Sequence, residues 1–126
     1  MIAGTDRCPC CSGLTYAECC QRFHLGASAP TAEALMRSRF SAFVTHDAEY
    51  LLRTWHEDTR PTQLGFDEQV EFFRLDILAT SQGGPLDTTG TVDFEAFYRV
   101  GRTIGSQREH STFHKINGNW IYVQEV

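Results

Sequence analysis

The chain has 126 residues, 41% of them hydrophobic and including nine Phe, four Tyr and two Trp, which suffices for one packed domain with a small appendage. A formal charge of -5 argues against nonspecific nucleic-acid binding, which needs surplus Lys and Arg to neutralise phosphates. No apolar run reaches the length of a membrane span and Met1-Ile2-Ala3-Gly4 is too short for a targeting segment, so the expected location is the cytoplasm.

All five cysteines fall between Cys8 and Cys20. A Cys-x-Cys pair (Cys8, Cys10) and a Cys-Cys pair (Cys19, Cys20) flank a Ser12-Gly13 turn and a short helical segment. An odd number is awkward for disulfides, adjacent cysteines bridge each other only with strain, and a reducing compartment favours metal binding or catalysis. Redox-active thiols and secreted disulfides are the competing readings. Thiolates from the two ends of a tight loop suit tetrahedral zinc, with sulfur about 2.3 Å from the metal. An all-sulfur site has no open coordination position, so its expected role is structural. Pro9 stiffens the backbone between the first two ligands, Gly13 permits the turn, and Tyr16 is placed to cover the loop. Cys11 is a spare thiol and His24 lies one helical turn past Cys20. Either could replace one of the four.

Residues 21–30 read as a linker, broken by Gly26, Ser28 and Pro30. Thr31 is then an N-cap with Glu33 in the first turn of a helix. Leu35, Met36, Phe40, Phe43 and Val44 share its buried face, with Arg37 off that face and Arg39 on its edge. Asp47 caps a second helix from which Tyr50, Leu51 and Trp55 pack inward, and Pro61 ends the helical region. From Val70 the period becomes two, with Phe73, Leu75, Ile77 and Ala79 alternating with Arg74 and Asp76. Gly83-Gly84-Pro85 interrupts, and Val92, Phe94, Ala96, Tyr98 and Val100 form the apolar side of a second strand. Residues 101–105 turn into a strand over 107–116, and Asn117-Gly118 is a two-residue hairpin turn into a last strand over 120–125. This register pairs Ile116 with Asn119, Phe113 with Tyr122, His114 with Ile121 and His110 with Glu125. Helices followed by antiparallel strands predict an α+β fold with a curved sheet over the helices.

The pattern Cys8-Pro9-Cys10-x-Ser12-Gly13-x-x-Tyr16-x-x-Cys19-Cys20 resembles the SEC-C motif, a zinc-binding module also found at the tail of the preprotein-translocase ATPase. The resemblance implies metal ligands at Cys8, Cys10, Cys19 and Cys20, and the motif usually has Gly where this chain has Cys11. The segments 34–43 and 50–56 extend the resemblance to the bacterial YchJ family over nearly the full length. That implies a SEC-C knuckle over 1–26 and a domain over 27–126 like nuclear transport factor 2 (NTF2), a cone with a pocket between helices and sheet.

Candidate pocket residues are Trp55, His56 and Arg60 at the mouth, with Glu109, His110 and His114 on the third strand. Glu109, Ser111 and Phe113 share one face of that strand, and His110, Thr112 and His114 the other. The inward face therefore carries either a carboxylate or two imidazoles. Helix-end packing and strand decoration explain the same residues without chemistry, and no catalytic residue is assigned. Arg22, Arg37, Arg39 and Arg53 could form a small basic patch, or an Arg could reach into the cone. The absence of a Gly-rich phosphate loop, a Gly-x-Ser-x-Gly elbow and a His-Glu-x-x-His pair leans against an enzyme. The expected function is a cytosolic zinc protein whose knuckle is a structural or protein-interaction module. A small-molecule binder or enzyme using the cone is the alternative, and RNA binding a lesser one.

Overall fold

A computed structural model of the protein describes residues 2–126. Met1, the first residue of the expected knuckle, lies outside the described residues. Three helices come first, α1 (Cys20–His24), α2 (Ala32–Thr45) and α3 (Ala48–Arg53). Four strands follow, β1 (Val70–Gln82), β2 (Thr89–Val100), β3 (Thr103–Ile116) and β4 (Asn119–Glu125), in one antiparallel meander of order β1-β2-β3-β4. This is the α+β architecture expected, with a curved sheet and an N-terminal cysteine region. Among the described residues no helix is long and apolar enough to cross a membrane.

Local chemistry sets the helix ends. Thr31 accepts a hydrogen bond from Ala34 N at α2, and Asp47 accepts one from Tyr50 N at α3. His46 closes α2 in the left-handed region, at φ 57°. Residues 21–30 are not wholly a linker, because α1 occupies their first part and buries Phe23.

α2 is the central element. Leu35, Met36 and Phe40 are buried in the same core as Leu75, Val92, Phe94 and Phe113 of the sheet. Ser38 and Ser41 are fully buried; Ser41 turns its hydroxyl to Cys8, and Ser38 its carbonyl to His24. After α3 the chain docks on β4: His56 N donates to Tyr122 O at 2.8 Å and Tyr122 N to Thr54 O at 2.8 Å. Trp55 is thereby held edge-on to Tyr122, ring centroids 5.2 Å apart.

Irregularities in the sheet correct three details of the predicted pattern. A register shift in β1 between Phe72 and Arg74 makes Phe73 an extra residue and leaves it exposed, so Phe72 faces the helices. A second shift, between Ile77 and Ala79, accompanies exposure of Ala79. On the last hairpin Ile116, His114 and Phe113 pair with Asn119, Ile121 and Tyr122 as the Asn-Gly turn requires. Val123 then bulges, and Glu125 faces Ser111 instead of His110. Residues 101–105 are not all turn, since β3 already begins at Thr103.

Candidate metal centre

Cys8, Cys10, Cys19 and Cys20 are all buried, and their sulfurs lie within 4.8 Å of one another. Two separations are 3.6 Å (Cys10–Cys19) and 3.9 Å (Cys19–Cys20). Sulfurs about 2.3 Å from a common centre at tetrahedral angles stand about 3.8 Å apart, so this cage has the size of a single ion. It does not have the size of a disulfide, whose sulfurs bond at about 2.05 Å. The donor set is four thiols without oxygen or imidazole, and it fits a metal site.

The loop is built as a small hairpin. Cys8 N donates to Leu14 O at 2.9 Å and Tyr16 N to Asp6 O at 2.8 Å, while Arg7 Nη1 donates to Gly13 O at 2.7 Å. Gly13 sits at φ 90°, the conformation the turn demands. Ser12 Oγ donates to Cys19 Sγ at 3.2 Å. Without a cation the cluster is electrostatically awkward. The thiols of Cys10 and Cys8, and then burial, push the Cys20 thiol far up, while hydrogen bonds from Cys10 and Cys20 pull the Cys8 thiol down. One divalent ion bound here would remove the conflict by holding every sulfur as thiolate.

α2 supplies the outer support. Ser41 Oγ lies 3.5 Å from Cys8 Sγ, and Arg37, one turn earlier, donates from Nη1 to Cys10 O at 2.9 Å while pairing with Glu33 at 3.0 Å. Arg22 Nε donates to Cys19 O at 3.1 Å. Arg53 reaches toward Phe23 O and lies over the Tyr50 ring, and Arg39 is buried. Arg37 and Arg39 are therefore engaged within the fold, while Arg22 and Arg53 remain exposed beside Phe23.

His24 is outside the cage. Its Nε2–H donates to Ser38 O at 2.8 Å, which leaves Nδ1 to accept from the Tyr16 hydroxyl at 2.5 Å. Both ring nitrogens are thus spent on joining the knuckle to α2. Cys11 is exposed, its Sγ donating to Pro9 O, and it stands at φ 66°. That left-handed backbone favours glycine, which accounts for Gly at this place in the motif. Cys11→Gly is expected to raise stability by about 1 kcal/mol in denaturant melts and to leave metal content unchanged.

The six candidate pocket residues divide. Trp55 and Glu109 line a cavity of about 230 Å³ between α2 and the sheet, together with Met36, Arg39, Phe72 and Tyr122. His110 and His114 are exposed on the outer face, because Ser111 and Phe113 on the Glu109 face are the buried ones. Arg60 is exposed and does not line the cavity. His56 accepts from Asp58 N and meets the His114 ring edge-on outside it. Of the two faces weighed, the strand thus turns the carboxylate inward and the imidazoles outward. Arg39, on the edge of α2 in the helical pattern, is the arginine that reaches into the cone. Its signal was a charged position inside the Met36–Phe40–Phe43 stripe.

Burial, and then the neighbouring Glu125 carboxyl, push the Glu109 carboxyl from 4.5 up to about 7. The folded state therefore holds this proton more tightly than the unfolded chain, and stability falls as pH rises from about 4.5 through 7. Glu109→Gln is expected to gain about 1–2 kcal/mol at pH 8, after allowance for solvent screening. The gain should vanish by about pH 4, below the unfolded value, as read in urea melts at the two pH values.

Comparison with known proteins agrees with this arrangement. The family model for the YchJ middle NTF2-like domain matches residues 31–125, and the SEC-C motif model matches residues 5–22. A UPF0225 protein of Corynebacterium glutamicum is 61% identical over 117 residues, covering 92% of this chain and 93% of the relative. One from Streptomyces coelicolor is 52% identical over 119 residues, covering 94% and 93%. The solution structure of a SEC-C motif containing protein from Rhodopseudomonas palustris superposes with TM-score 0.81 at 34% identity, covering 94% of this chain and 96% of that one. The crystal structure of a SEC-C motif containing protein from Psychrobacter arcticus gives TM-score 0.76 at 28% identity, covering 96% and 82%. A thiol cage folded onto the first long helix of an NTF2-like cone places the chain in the YchJ-like UPF0225 family of SEC-C proteins.

Proposed function

We propose that the chain is a cytoplasmic zinc protein in which Cys8, Cys10, Cys19 and Cys20 hold one zinc ion, and the knuckle so formed is a structural and protein-interaction module. The observation that carries this reading is the cage of four buried sulfurs within 4.8 Å. All-sulfur tetrahedral sites select zinc or iron, and a closed site of this kind stabilises a fold instead of activating water. One exposed edge of the knuckle is 11–14, where Leu14 is 47% exposed. An apolar side chain held outward on a stiff turn suits contact with a protein.

Elemental analysis of untagged protein tests the metal, with about one zinc per chain expected. Cobalt substitution should give a thiolate charge-transfer band. Metal-free protein with its thiols oxidised would sink the reading. For the partner, pull-downs with wild type and the double variant Cys19→Ser, Cys20→Ser should differ. Partners retained equally by both do not use the knuckle.

A further inference from the structure

Arg39 is only 3% exposed, and no carboxylate stands within salt-bridge distance of it among the described residues. Its Nη1 donates to Leu51 O and Thr54 Oγ1, each at 2.8 Å. Among the described residues no acceptor meets its Nε or Nη2. The guanidinium carbon lies 5.0 Å from the centre of the Trp55 ring and 4.6 Å from that of Tyr122. Aromatic faces and neutral acceptors offset part of the cost of burying a cation, but a buried charge without a counter-ion remains unfavourable. Burial lowers its pKa to about 10, which still leaves it charged at neutral pH. This side chain lines the 230 Å³ cavity.

The other walls narrow what could enter. Phe40, Phe43, Phe72 and Phe94 make the cavity largely aromatic, and the volume is below the roughly 300 Å³ at which drug-sized pockets begin. Gln107, which also lines it, is exposed and marks a route to solvent. Trp55 Nε1 is a second buried donor without a partner. Glu109 on the same wall disfavours a multiply charged anion. One cation with open donors in a fork and an apolar body of space complement one chemistry.

We propose that the cone cavity is a binding site for a small monocarboxylate with an apolar body, its carboxylate received by Nε and Nη2 of Arg39 and its body by the phenylalanine walls. The site does not depend on the metal centre, so either assignment can fail alone.

The test follows the Trp55 indole N–H resonance of the zinc-loaded full chain during titration with benzoate, benzamide and inorganic phosphate. Benzoate should shift it saturably. Benzamide has the same shape without the charge and should bind at least about tenfold more weakly, the usual effect of losing a charge-assisted hydrogen bond. Phosphate has the charge without the apolar body and should be weaker still. Arg39→Met should abolish the preference for benzoate over benzamide, and Arg39→Lys should keep only part of it. Should the Met variant not fold, the wild-type comparison decides. Equal binding of benzoate and benzamide, tighter binding of phosphate, or no saturable shift with any of them overturns the proposal.

Discussion

Stripping the metal with a chelator, or replacing Cys20 by Ser, is expected to unfold the knuckle and lower the stability of the chain by roughly 3 kcal/mol or more. The reason lies in the interior of the knuckle. Cys8, Cys10, Cys19 and Cys20 belong to one contiguous buried cluster with Tyr16, Phe23, Leu35 and Phe40, so the thiols are also core residues. Without the ion they must be buried as thiols, or as thiolates that repel. The Cys20 thiol, already pushed up, makes the second option the more costly. The hairpin over 6–16 has few other apolar contacts to hold it. Its loss would open the α2 surface at Ser38 and Ser41, both now fully buried. Two-dimensional NMR with and without chelator should show amides of 5–24 collapsing to the unfolded region while those of β2 and β3 persist. Cys11→Ser, at the exposed thiol outside the cage, is the control and should behave as wild type. An unchanged spectrum after chelation would remove the metal from its structural role.

Legibility in the sequence followed the range of the forces involved. Thr31, Asp47 and Asn117-Gly118 act over three or four residues. Each stands where expected, with Asn117 and Gly118 at φ 52° and 80° as a hairpin turn of this type needs. The cysteine spacing was equally informative, since a cage closed by one short loop needs little outside it. What was hidden depends on distant partners. The bulges at Phe73 and Val123 fit a curved sheet to α2 and to the 54–56 segment, and strand alternation carries no sign of that fit. Arg39 looks like an edge residue until the Trp55 and Tyr122 rings close on its guanidinium. His24 looks like a ligand until α2 presents Ser38 O to its ring.

The second large effect concerns Arg37, which the helical pattern places off the buried face and the fold assigns to the knuckle. Four thiolates around a divalent ion would carry a net charge of -2, and the cage places that charge in a buried loop. Arg37 brings a cation to its edge, through a hydrogen bond to the carbonyl of a ligand residue, Cys10, and Glu33 fixes the guanidinium from the other side. Outer residues that orient ligands in this way are worth about 10–100-fold in metal affinity. Arg37→Met keeps the length and loses charge and donor, so its metal affinity should fall by about that factor in competition with a chromophoric chelator. Arg37→Lys retains the charge without the fork and should recover part of the loss. Glu33→Gln frees the guanidinium without removing it and should cost less than either. If Arg37 serves only to pack α2, the order breaks. Met would then match wild type in metal affinity, and Lys, with its more strongly hydrated head, would be the poorest of the three.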